Sequence, residues 1–167
     1  MAWFTRRVCC RSRDRACHIL PVALPSLMRS SGVSMSQSTA PVTVATLEAF
    51  SDAWNRHDID ALMGFMTDDC VFMTAGGPDA CGARHVGCEA VRKAFSASWL
   101  VSPDAQWRNG KHFVQGDFGV SQWTFTGTAA DGSRIETDGV DVFTFRDGKI
   151  AVKNVFRKAR PNLPAAK

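Results

Sequence analysis

The segment 134–158 constrains the fold of this chain more than any other. It contains two runs of alternating apolar and polar residues, joined at Asp147-Gly148. Asp-Gly between such runs favours a type I′ turn, because both residues tolerate the positive φ angles that this turn requires. The pattern therefore predicts a β-hairpin with strands near 134–145 and 149–158.

Asp141 is the unusual residue of this hairpin. Side chains alternate across a strand, so Asp141 shares a face with Phe143 and Phe145. A carboxylate among aromatic side chains is costly to bury unless it is paired, hydrogen-bonded or protonated. Two interpretations stay open: Asp141 accepts structural hydrogen bonds or meets an arginine, or it exchanges protons with a molecule bound in a pocket.

The periodicity of the rest of the chain predicts an α+β domain. Apolar residues recur every three or four positions before Pro103 and every second position after it. Helices followed by an antiparallel meander are typical of that class. The expected helices cover about 43–56, a short stretch from the N-cap Asp58 to its end at Asp68-Asp69, and 89–99. The expected strands cover 70–74, 105–115, 118–128 and the two of the hairpin.

The first 40 residues differ from the body. Residues 1–34 hold six arginines and one acidic residue, with cysteines and serines but little apolar patterning. Such a segment resembles an organelle transit peptide, and a start of translation at Met28 or Met35 is the favoured alternative. We expect 1–40 to be an extension outside the fold, 41–160 to form one domain, and 161–167 to be a flexible tail.

Charge and cysteine usage restrict the partners and the compartment. Without the arginine-rich start the chain is close to neutral, which argues against nucleic acid as a partner. A basic cluster near the C-terminus is expected to be a solvated strand edge and tail rather than a phosphate site; it consists of Lys149, Lys153, Arg157, Lys158 and Arg160. No apolar run is long enough for a membrane helix. Cys81, His85 and Cys88 lack the further ligands of a zinc site, so no metal is expected. The odd number of cysteines in the body, three, favours a reducing cytoplasm.

The aromatic side chains of the body are numerous enough to line a cavity. Trp54, Phe72, Trp123 and Phe143 suit a small-molecule pocket and a solid core equally well. The expected pocket lining also includes Phe50, Thr74, Trp99 and Phe125.

Three segments together resemble the NTF2-like superfamily, particularly its SnoaL-like branch and more distantly ketosteroid isomerase. They are FSDAWNRHDIDALMGFMTDDCVFM, GGPDACGARHVGCEAVRKAF and DGVDVFTFRDGKIAVKNVFRK. The resemblance implies a cone of three N-terminal helices on a strongly curved, mixed and mostly antiparallel sheet, with an apolar pocket between them. It also implies a homodimer through the convex sheet face, which would present Gln122, Thr124, Val140, Val142 and Thr144.

The resemblance assigns residues to a site. Asp141 matches the pocket carboxylic acid of ketosteroid isomerase, which donates a hydrogen bond to an oxyanion. Phe50 stands at the position of the family's tyrosine, and Thr74 stands at the position of its base aspartate. SnoaL-like cyclases often add a histidine from the sheet, and His112 is the candidate here.

These observations lead to two hypotheses of function. The first is a cofactor-independent enzyme that isomerises, cyclises or dehydrates a small, apolar, carbonyl-bearing molecule, with Asp141 as general acid/base and His112 or a water assisting. The second is a ligand-binding or association module without catalysis, because a fold does not determine a reaction.

Overall fold

The computed structural model describes residues 40–165, which belong to one compact unit, Gln37–Lys167. The expected N-terminal extension, except for its last residue, lies outside the described residues. In chain order, the elements are α1 (Val44–Asn55), α2 (Ile59–Gly64), β1 (Met66–Met73), β2 (Arg84–Val86), α3 (Cys88–Val101), β3 (Gln106–Gln115), β4 (Phe118–Thr128), β5 (Arg134–Arg146) and β6 (Lys149–Arg157).

Local signals set the helix starts. Thr43 caps α1 through a capping box with Thr46, and Asp58 caps α2 by accepting a hydrogen bond from Ala61 N at 2.9 Å. The predicted α+β class is confirmed, and so are these two helices. The expected order of three N-terminal helices is wrong, because β1 and β2 precede α3.

The first strand is longer than its sequence suggests. Asp68 and Asp69 were expected to end α2, but they are exposed residues inside β1, flanked by buried positions. Asp69 forms an ion pair with Arg146 at the end of β5, two strands away in the sheet. The short strand β2, which lies in the glycine-rich loop, was not predicted.

The six described strands form one curved sheet in the order β2-β1-β6-β5-β4-β3. The β1–β6 pair is parallel and the other pairs are antiparallel, which confirms the expected mixed sheet. The β5–β6 turn is the predicted one, with φ angles of 52° at Asp147 and 70° at Gly148.

A β-bulge interrupts the β5–β6 hairpin shortly after its turn. Phe145 pairs with Ile150 but Thr144 pairs with Val152, so Ala151 is an extra residue without a partner opposite. Beyond the bulge, Phe143 faces Lys153 and the register stays regular. The bulge therefore decides which β6 side chains share a face with Phe143.

The helices cover one face of the sheet and build the core there. Fully or nearly fully buried residues from α1, α3, β5 and β6 meet in it, among them Phe50, Phe95, Phe143 and Ile150. The opposite, convex face carries apolar residues that remain exposed: Phe113, Phe118 and Phe156 are 57%, 44% and 52% exposed.

Candidate functional site

A buried ion pair lies on the helix-covered face of the sheet. Lys153 Nζ is 2.7 Å from Asp141 Oδ1, and the two residues are 4% and 6% exposed. The ammonium group also lies over the rings of Phe72 and Trp54, at 5.2 and 5.5 Å from their centroids. Burial lowers the pKa of Lys153, and the negative charge and hydrogen bond of Asp141 oppose that shift.

This ion pair explains how the Asp141 carboxylate can be buried on a face that it shares with aromatic side chains. The carboxylate accepts a hydrogen bond from Lys153, where the sequence suggested structural hydrogen bonds or an arginine and the resemblance implied a protonated acid. The sequence also placed Lys153 in a solvated basic cluster, and that expectation is wrong. Because the bulge at Ala151 shifts the register by one residue, Lys153 points to the helix-covered side.

Lys153 forms part of the wall of a cavity of about 890 Å³ between the sheet and the helices. Its apolar and aromatic wall residues are Trp54, Phe72, Ala75, Val101, Trp107, Trp123, Phe125, Ile135, Val155, Ala159 and Pro161. This volume and this lining are typical of sites that bind small organic molecules.

Trp123 lies flat against the sheet at the place where β5 has a glycine. A Cβ atom on Gly139 would be 2.2 Å from Trp123 Cη2, so the indole can occupy this position only because residue 139 has no side chain. The indole N–H groups of Trp54 and Trp123, both 5% exposed, have no hydrogen-bond partner within residues 40–165. The cavity wall thus contains buried donors without acceptors.

Arg157 stands at the other end of the β6 segment that borders the cavity. Its guanidinium lies 5.0 Å from the centroid of Phe125, and none of the ion pairs formed within residues 40–165 includes it. Partial burial lowers the pKa of Arg157. Sequence reasoning assigned Arg157 to the solvated cluster and missed its place in the cavity wall.

The predicted pocket residues divide into two groups. Trp54, Phe72, Thr74, Trp123 and Phe125 line the cavity.

The other three predicted pocket residues are absent from its lining. Phe50 and Phe143 are 2% and 0% exposed and form part of the solid core, because each packs edge-on against the other. Trp99 packs beside the cavity and stacks on His57 at 4.9 Å between ring centroids.

The predicted catalytic residues are close in the sheet but lie behind the cavity wall. Ser121 on β4 is the cross-strand neighbour of both His112 and Asp141. His112 Nδ1 and Ser121 Oγ are 2.7 Å apart, and burial lowers the pKa of His112. Neither His112 nor Asp141 is a lining residue, whereas Lys153, the partner of Asp141, is one.

The loop cysteines and histidine do not converge. In the part of the chain that the structure describes, no group of three or more His, Cys, Asp or Glu side chains is placed to hold a metal ion. Cys70, Cys81 and Cys88 are free thiols. In residues 40–165, no helix combines the length and the apolar character that a membrane crossing requires.

The chain belongs to the SnoaL-like domain family, whose model matches residues 47–153. The match spans α1 to β6 and includes both Asp141 and Lys153. A comparison with functionally curated proteins finds no significant match.

Solved structures with similar folds agree with this family. A proposed polyketide cyclase from Xanthomonas campestris is 23% identical, with a TM-score of 0.58 over 66% of this chain and 85% of that one. An NTF2-like protein of unknown function from Mesorhizobium loti is 28% identical, with a TM-score of 0.57 over 68% and 88%. A ketosteroid isomerase-like protein from Catenulispora acidiphila, in complex with trimethylamine, is 15% identical, with a TM-score of 0.58 over 66% and 82%.

Proposed function

We propose that this protein binds a small, apolar, carbonyl-bearing molecule in the cavity and isomerises, cyclises or dehydrates it by proton transfer. The observation that carries the proposal is the position of Lys153, which is a residue of the cavity wall and whose Nζ lies 2.7 Å from the Asp141 carboxylate. The SnoaL-like family and its cyclase-like and isomerase-like structural relatives support a role of this kind.

The geometry assigns the direct contact with the substrate to Lys153. Its ammonium group donates a proton to the carbonyl oxygen, and the amine left behind accepts the proton from the carbon next to the carbonyl. An enol forms and Lys153 regains its charge, so one nitrogen serves as acid and then as base. Burial helps this cycle because it makes the ammonium group a stronger acid than an exposed lysine.

In this scheme Asp141 and His112 do not contact the substrate and act through Lys153. Asp141 holds the ammonium group in place and stabilises its charge, because it is the one carboxylate paired with it within residues 40–165. His112 reaches Asp141 only by way of Ser121, so it has a supporting role in positioning. A cofactor is not needed for enolisation of this kind.

The binding-only function remains the second candidate, and one observation favours it. Asp141 and the rings of Trp54 and Phe72 already surround the Lys153 ammonium group, which is the arrangement expected of a purely structural buried charge.

Exchange of carbon-bound protons with deuterium separates the two candidates. Aryl methyl ketones that raise the unfolding temperature are incubated with the protein in D₂O, and loss of the methyl proton signal is followed by NMR. We expect the wild-type protein to accelerate exchange and the double variant Asp141→Leu/Lys153→Met to bind the ketone without accelerating exchange. Binding by the wild type with no acceleration would reject catalysis and leave the binding function.

We also propose that two copies associate through the convex face and that the protein functions in the cytoplasm. Phe113, Phe118 and Phe156 are exposed on that face next to Val140 and Val142. A contiguous apolar sheet surface of this kind favours pairing with an identical surface.

A further inference from the structure

The charged side chains in the described lining of the cavity are all cations. Its described lining includes four basic residues and neither Asp nor Glu. Asp141 balances Lys153, and Glu136 balances Arg160 at 3.1 Å. Arg157 and Lys158 form no ion pair among the described residues. Of these two, Arg157 is the one that shares a face of β6 with Lys153, in a wall that also holds the two unpartnered indole N–H groups.

Arg157 is held in a position where it can receive a ligand. Stacking over Phe125 restricts the guanidinium, and cross-strand pairing sets residue 157 opposite Gly139, beneath the edge of Trp123. A guanidinium binds a carboxylate through two parallel hydrogen bonds, and Arg157, which is exposed and has no counterion among the described residues, is free to make that contact.

We infer that the ligand of this cavity is an apolar organic anion, a keto acid whose carboxylate binds Arg157 while its carbonyl oxygen meets Lys153. Lys153 and Arg157 are four residues apart on the same face of β6, so their Cα atoms are separated by about 13 Å. Val155 and the aromatic walls lie between them and contact the apolar body of the molecule. This inference rests on the proposed function and specifies its substrate class.

A pair of probes that differ only in this charge tests the inference. The probes are 6-acetyl-2-naphthoate and its methyl ester, and their Kd values are measured by isothermal titration calorimetry. We expect the wild-type protein to bind the acid at least about tenfold more tightly than the ester, as a charge-assisted bidentate contact implies. In Arg157→Gln the acid should fall to the affinity of the ester, while the affinity for the ester stays unchanged.

Lys149→Gln is the matched control, because Lys149 is an exposed cation on the same strand and outside the cavity lining. It should keep the full preference for the acid. Equal affinity of the wild type for both probes, or a preference that survives in Arg157→Gln, would overturn the inference and leave the proposed function intact. Failure of the wild type to bind either probe would overturn both.

Discussion

Asp141 and Lys153 are each more than nine-tenths buried, so each is the other's counterion in a place that water scarcely reaches. Removal of one partner leaves an uncompensated charge inside the protein, which costs about 3–5 kcal/mol, whereas apolar residues of similar volume in both places are often neutral. The stability of the pair and its chemistry can therefore be separated by substitution.

Asp141→Asn should lower the free energy of unfolding by about 3–5 kcal/mol, because it leaves the Lys153 ammonium group buried without a counterion. Asp141→Leu/Lys153→Met should recover most of that loss. Urea denaturation of the three proteins measures both effects. A double variant as unstable as the single one would show that the pair itself, and not the avoidance of a lone charge, stabilises the fold.

At the residue scale, the sequence showed that Asp141 is an unusual carboxylate on a buried face, but it did not show that Lys153 is its partner. Alternation along the strand placed Asp141 on the buried face with Phe143, and the structure confirms this. Lys153 could not be recognised, because a two-residue turn with a regular register would turn its side chain to the opposite face. The extra residue Ala151 leaves no clear signal between its apolar neighbours Ile150 and Val152.

At the scale of the elements, the end of α1 is fastened to β3 by a single side chain. Asn55 Nδ2 donates to Trp107 O at 2.9 Å, and Asn55 Oδ1 accepts from Trp107 N at 2.7 Å. β3 is at the edge of the sheet, with no further strand beside it among the described residues. The Asn55 amide therefore makes the two hydrogen bonds that a neighbouring strand would make there. Gln106 adds a third hydrogen bond, from its Nε2 to Asn55 O.

Asn55→Ala should lower the free energy of unfolding by about 2–3 kcal/mol, because it removes two partly buried hydrogen bonds and leaves backbone groups unsatisfied. Trp107 lines the cavity, so binding of aryl ketones should weaken as well. Asn162→Ala, at an exposed position, should change stability by less than about 0.5 kcal/mol. Equal effects of the two substitutions would show that the Asn55 contacts contribute no more than an exposed side chain.

The elements themselves were largely predictable, and the exceptions have physical causes. Three strong signals were sufficient for α1, α2 and the final hairpin: the cap at Asp58, the apolar face of 43–56 and the Asp-Gly turn. β2 was missed because its three residues gain their regularity from pairing with β1, a long-range contact that local periodicity does not encode.

On the scale of the whole molecule, the convex face of the sheet exposes apolar side chains to solvent in a single copy of the chain. Val142 lies near its centre, with Val120 on one side and Asn154 on the other in cross-strand register. In the proposed dimer, a charge introduced there would lie in the middle of the apolar contact between the two copies, where it would lack a partner.

We expect the wild-type protein to sediment as a dimer and Val142→Lys to sediment as a folded monomer, because the new ammonium group would oppose its own copy across a two-fold axis. Analytical ultracentrifugation with circular dichroism measures both properties. Val86→Lys makes the same change at an exposed position on β2 and should remain dimeric. A wild-type monomer at micromolar concentration would reject the proposed interface.

The parallel pairing of β1 with β6 has a consequence for the synthesis of the chain. Met66 on β1 pairs with Ile150 on β6. Because β1 is synthesised well before β6, the edge of β1 stays uncovered until β6 has left the ribosome. Contacts so distant in sequence slow folding and expose apolar surface meanwhile. β6 also carries Lys153 and Arg157, so its pairing completes the described sheet and the cavity wall in the same step.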